Sequence, residues 1–159
     1  MLANNGIIIL LSLLLALIAS IMPMPLGVDA FRPDWALVVL VYWSIALPNR
    51  VNVTSAWITG FFLDVLLGST LGVHAAAMAL CVYIAAANYQ KIRNFSVWQQ
   101  AIIVGVLAAL YHLLVFWMQR FLTDAVFLPS YLYPVATSVI LWPWVFLLLR
   151  KIRRQFKIT

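Results

Sequence analysis

The chain has 159 residues, of which 66% are hydrophobic and 9% charged, and its net charge is +6. Soluble domains run at roughly 45–50% apolar and about 25% charged, so ten basic and four acidic side chains cannot clothe this chain in water. The composition excludes a soluble enzyme, a disulfide scaffold (Cys81 is the single cysteine) and a disordered tail protein, and it reads as an integral membrane protein.

Six apolar stretches are predicted as spans, cut by charges, prolines and glycines. The first covers residues 7–22 and is closed by Pro23 and Pro25. It lacks the basic start of a signal peptide and reads as an uncleaved helix. The second covers 35–47 and is closed by Pro48, Asn49 and Arg50. It is short for a span, so its helix is expected to begin near Phe31. The third covers 51–71 and contains Asp64. The fourth covers 73–89, closed by Lys91 and Arg93, and the fifth covers 97–118, closed by Arg120. The sixth covers 130–149 and is closed by Arg150. Helices must dominate, because lipid cannot satisfy free backbone groups. A re-entrant second and third segment is the structural alternative, and it leaves the sides of the termini unchanged.

Six spans of about 20 residues consume about 120, so no extramembrane domain fits. The expected organisation is an all-α, six-span bundle over 1–149 and a basic cytoplasmic tail over 150–159. Lys and Arg set its orientation. Arg150, Lys151, Arg153, Arg154 and Lys157 in the tail, Lys91, Arg93 and Arg50 fall on one side. Arg32 and Arg120 fall on the other. Both termini are therefore expected inside, with Asp29, Asp34 and Asp124 outside. Most tryptophans read as belt anchors at the borders: Trp35 and Trp117 outside, Trp43, Trp57, Trp98 and Trp144 inside.

Asp64 is the most informative residue, because a carboxylate within a span is costly and faces protein or a cavity. Gly60, Asp64, Gly68 and Gly72 recur every four residues. The first three share one helix face, where small residues admit a second helix, and Gly68 to Gly72 is expected to open the outer turn. Two readings stay open: Asp64 serves packing, neutral or capped by a neighbour, or it serves a polar pocket or partner contact. On the second, Asp64→Leu would fold yet weaken function. By rise per residue, Asp64 lies about 21 Å and His112 about 22 Å from the inner side. Thr137 and Ser138 approach that layer from the other direction, and His74 lies slightly further out. These groups either form one hydrogen-bonded cluster, or His112 bonds a local partner and never meets Asp64.

Enzyme signatures are poor. HExxH, GxSxG and phosphate-loop motifs are absent, and there is no Glu. Ser69, Ser130 and Ser138 read as caps and packing groups rather than nucleophiles. Two histidines and one buried Asp fall short of a metal site, so no metal or cofactor is expected. The tail either holds the last span inside or binds anionic lipid or an acidic partner. In the second case Ile152 and Phe156 insert beside the headgroups. Nucleic acid is not an expected partner.

Residues 60–72, GFFLDVLLGSTLG, resemble the signature of the rod shape-determining MreD family. So does FRPDW at 31–35. ALPNRVN at 46–52 and LWPWVF at 141–146 resemble its Gram-negative members, and the resemblance covers the whole chain. It implies a non-enzymatic scaffold in the machinery for lateral cell wall of the inner membrane. The implied direct partner is MreC, a single-span periplasmic protein. Functional ties to RodA, a penicillin-binding transpeptidase and the MreB filament are implied as well, and a homo-oligomer within the complex stays open. The helix plan is also similar to the substrate-binding components of energy-coupling-factor transporters. That likeness keeps a second function open, a binder of a small molecule or lipid intermediate. Asp64, Gly60, Gly68, Gly72 and His112 are the candidate partner- or pocket-facing residues. Asp29, Arg32 and Asp34 are the candidate outer-loop contact.

Reporter fusions after Thr159 and in the loop at Asp29 should report opposite compartments. A periplasmic carboxyl terminus would refute the orientation.

Overall fold

The computed structural model describes residues 2–22, 34–47, 50–68, 71–122 and 133–156. Among these, every regular element is a helix: α1 (Leu2–Ile21), α2 (Trp35–Ala46), α3 (Val53–Leu67), α4 (Val73–Ala87), α5 (Tyr89–Asn94), α6 (Val97–Leu122) and α7 (Tyr133–Gln155). α6 and α7 are long and apolar enough to cross a membrane, whereas Gly6–Ile21, α2, α3 and α4 are shorter apolar helices.

α2 is the centre of the bundle. Its sequence WALVVLVYWSIA is apolar all round, and every residue from Ala36 to Ile45 is buried. A helix with no polar face must be covered on all sides. α1, α4, α5, α6 and α7 provide that cover. Twelve residues rise only about 18 Å, well short of a hydrocarbon core of about 30 Å. The α2 carboxyl end is finished by another helix: Arg93 Nη2 donates to the carbonyls of Ile45 (2.8 Å) and Ala46 (3.1 Å). A cation at that end satisfies carbonyls the helix leaves free.

α3 and α4 form a tight hairpin. Gly60 is what lets them close, since a Cβ there would stand 2.5 Å from Ala75 Cα. Gly68 and Gly72 have a different task. Gly68 caps α3 at φ 68° and Gly72 opens α4 at φ 96°. A Cβ on either would meet nothing within 4 Å. The expectation that Gly68 packs against a second helix is therefore corrected. Its left-handed backbone ends α3 at that residue.

Other boundaries shift for local reasons. α4 stops at Ala87, and Asn88 leads into α5, an extra short helix inside the stretch read as an inner loop. Ser96 and Gln99 then open α6 with a reciprocal cap: Ser96 N donates to Gln99 Oε1, and Gln99 N to Ser96 Oγ. α6 runs past Arg120, and α7 runs through Pro143 into the basic tail as far as Gln155. α2 starts at Trp35, and Phe31 lies outside the described residues.

The exterior is apolar. Leu11 and Leu15 on α1, Phe62 and Val65 on α3, Ile102 and Val106 on α6 and Ile140 and Leu147 on α7 are all exposed. Soluble monomers rarely expose continuous apolar patches beyond a few hundred Å². This surface suits lipid. Trp57, Trp98, Trp117 and Trp144 share that exposure, but Trp43 does not. It is fully buried, and its Nε1 donates to Ser12 Oγ at 2.9 Å, so it is a core residue and not a belt anchor.

Gly60→Ala and Gly68→Ala should separate the two kinds of glycine. Overpacking at Gly60 should cost about 1–3 kcal/mol. The positive φ at Gly68 should cost about 1 kcal/mol. Thermal unfolding in detergent reads both, and a Gly60→Ala protein as stable as the parent would contradict the close approach.

Candidate functional site: two aspartate–histidine pairs beside a cavity

Asp64 lies near the carboxyl end of α3 and is completely buried. The start of α4 points its backbone N–H groups at it. Gly72 N donates to Asp64 Oδ2 at 2.9 Å, His74 N to Oδ1 at 3.0 Å and Ala75 N to Oδ2 at 3.4 Å. Asp64 thus does for α4 what a capping side chain does from within its own helix, because Gly72 has no side chain to cap with. Its charge also meets the positive end of the α4 dipole. A fourth donor is His74 Nδ1, at 2.6 Å from Oδ1. A carboxylate only accepts, so the imidazole donates from Nδ1.

The second pair ties three helices together. His112 on α6 places Nε2 at 2.8 and 3.0 Å from the two carboxylate oxygens of Asp34. Asp34 stands at the N-cap of α2, yet its side chain makes no cap bond there. Its backbone N donates instead to Ser138 Oγ on α7 at 3.2 Å. Tyr111 sits between the pairs, with ring centroids 6.0 Å from His74 and 5.1 Å from His112. These groups border a cavity of about 220 Å³, lined by Ser20, Asp34, His74, Tyr111, His112 and apolar side chains. Among the described residues no group of three or more His, Cys, Asp or Glu is arranged to hold a metal ion.

Of the two readings of this layer, separate sites hold rather than one cluster. Asp64 takes His74, and His112 takes Asp34, a partner from another helix rather than a local backbone or hydroxyl group. Ser138 joins the Asp34 side, while Thr137 Oγ1 bonds the Tyr133 carbonyl of its own helix. The Asp34 carboxylate is engaged by His112. Asp29 and Arg32 lie outside the described residues, as does Lys157. Arg150, Lys151, Arg153 and Arg154 continue α7 as helix. Gly60 and Asp64 do share an inward face. Ala75 and Ala77 are buried inside the bundle, while Ala76 is exposed.

A family model described as rod shape-determining protein MreD matches residues 2–152. The chain belongs to the MreD family. It is similar to the rod shape-determining protein MreD of Haemophilus influenzae, at 40% identity over 144 residues, which covers 91% of this chain and 89% of the relative. No solved structure matches the chain. The membership places it among membrane proteins of rod shape determination. The Asp64 cap therefore lies in a member of a family named for cell shape rather than for a reaction.

The geometry alters what loss of Asp64 should do. Asp64→Leu strands buried backbone donors at the α4 start, at about 1–3 kcal/mol for each group left unmade. It should destabilise the fold by several kcal/mol, with Asp64→Asn intermediate, because its one carbonyl oxygen still accepts. A stable, well-folded Asp64→Leu protein in thermal unfolding would contradict the capping role.

Proposed function

We propose that this chain is a multi-pass scaffold of the bacterial inner membrane that binds MreC and supports lateral peptidoglycan synthesis. In this reading α1, α2, α3, α4, α6 and α7 are the six spans, α5 lies at the inner border, and both termini are cytoplasmic. RodA, the penicillin-binding transpeptidase and MreB are functional neighbours in the same machinery. Family membership supports the role in cell shape. The observation that carries the partner reading is an uncovered stripe on α4. Ala76, Leu80, Tyr83 and Ala87 are all exposed. They fall at successive steps of four, three and four residues, and so on one helix face. Small residues at both ends and bulky ones between them make a surface with relief. Helix association in lipid depends on such shape, because lipid removes the hydrophobic drive. Short loops cannot supply the roughly 1,200–2,000 Å² that stable partners bury, so the spans must.

The cavity between the two pairs favours a second reading, a binder of a small molecule or lipid intermediate on a transporter-like helix plan. A volume of about 220 Å³ with histidines on its wall suits a small polar group. The two readings differ in what fills space: a partner helix on α4, or a ligand beside Tyr111.

Crosslinking reporters at Ala76, Asp34 and Arg153 test the scaffold reading. MreC adducts are expected at Ala76, with weaker capture at Asp34. Capture from Arg153 alone would move the interface to the basic end of α7.

A further inference from the structure

The carboxyl-terminal half of α7 carries a stripe that the scaffold role does not use. Trp142, Phe146, Arg150 and Arg153 follow at steps of four, four and three, so they share a face. This face looks onto a cavity of about 310 Å³ bounded by the α2 end, α5 and the α6 start. Its wall has two characters. Arg93, Arg150 and Arg153 supply positive charge, and Tyr42, Ile45, Val97 and Phe146 supply apolar surface. The capped α6 amino end, at Ser96 and Val97, forms part of the same wall. Among the described residues, no acidic side chain lines it.

Two polar atoms of this wall have no partner. Trp142 is 1% exposed and Gln100 is 3% exposed, and both line the cavity. Trp142 Nε1 and Gln100 Oε1 make no hydrogen bond among the described residues. The orientation of the Gln100 amide is set, because Nε2 donates to the Ile92 carbonyl at 2.9 Å and the Phe95 carbonyl at 3.4 Å. The wall thus offers a buried N–H donor and a buried acceptor. Unpaired buried polar groups are costly, and a bound group that pairs with them removes that cost.

We propose that this cavity is a binding site for the headgroup of an anionic, hydroxyl-bearing phospholipid. The phosphodiester accepts from the arginines and Trp142 Nε1, and a headgroup hydroxyl donates to Gln100 Oε1. Guanidinium groups match phosphate oxygens in charge and geometry. The apolar half of the wall receives the start of the acyl chains, which continue over exposed Trp98, Trp144 and Leu147. That mixed lining favours lipid over an acidic peptide, which would need polar surface where Val97 and Phe146 stand. The headgroup layer is supplied by the membrane reading above. Failure of that reading would show in the topology fusions and not in lipid binding.

The test is native mass spectrometry of the full chain in detergent, titrated with phosphatidylglycerol, with phosphatidylcholine as the neutral reference. Two charge-matched double variants are compared. Arg150→Gln with Arg153→Gln removes the cavity arginines that bind no backbone carbonyl. Lys151→Gln with Arg154→Gln removes the same charge from α7 positions outside the cavity wall. Phosphatidylglycerol affinity should fall about tenfold or more in the first and less than about threefold in the second. Trp142→Phe keeps the ring without the N–H and should weaken binding about threefold, with unfolding temperature read alongside. Equal loss in both double variants would overturn the proposal, because it would mean diffuse attraction to the basic tail. Displacement of the lipid by low-millimolar inorganic phosphate would overturn the lipid source. A soluble Glu-rich peptide that binds as tightly, with the same dependence on Arg150 and Arg153, would overturn the ligand class.

Discussion

A carboxylate in an apolar bundle must gather donors or give up its charge. Asp64 gathers them from the next helix. Its oxygens take the backbone donors of Gly72, His74 and Ala75 and the imidazole of His74. One side chain thereby fixes where α4 begins, how α3 turns into it and how the His74 ring stands. Much of that end of the bundle depends on it. His74 borders the cavity, Tyr111 lies between the histidines, and the second pair links α2, α6 and α7. Gly60 completes the arrangement by letting α4 come close enough for the hydrogen bonds to form.

The two ends of the bundle use opposite chemistry. One end holds carboxylates against imidazoles and a helix amino end. The other end holds arginines against a helix carboxyl end and a cavity, with Arg93 on the last carbonyls of α2. The short α2 rises through only about 18 Å of bundle. Its carboxyl end is finished by Arg93 from α5, whereas the Asp34 side chain at its start turns to His112 instead of capping the helix.

Helix content and the approximate positions of the helices were legible in composition and charge, because a mostly apolar chain leaves few alternatives. The importance of Asp64 was legible too, from the cost of placing a carboxylate there. Its partner was less so. His74 comes ten residues later, and its approach depends on two positive-φ glycines whose four-residue spacing mimics a packing motif. Gly60 packs, whereas Gly68 and Gly72 carry positive φ; the turn was legible in the sequence, but the spacing also placed Gly68 on the packing face, which the left-handed cap rules out within the bundle. The His112–Asp34 pair joins residues 78 positions apart, and no periodicity predicts helix rotation. The S-x-x-Q cap at Ser96 and Gln99 was readable but hidden among loop residues. Trp43 looked like a border anchor because it lies near a charged loop. Its burial follows from the all-round apolar character of α2.

Amide hydrogen exchange over residues 71–78 tests the central claim most directly. In the parent protein the amides of Gly72, His74 and Ala75 should be protected. Asp64→Asn should raise their exchange selectively, while amides in α6 and α7 keep their protection. Unchanged exchange at the α4 start in that variant would contradict the account, because it would show that the helix begins without its cap.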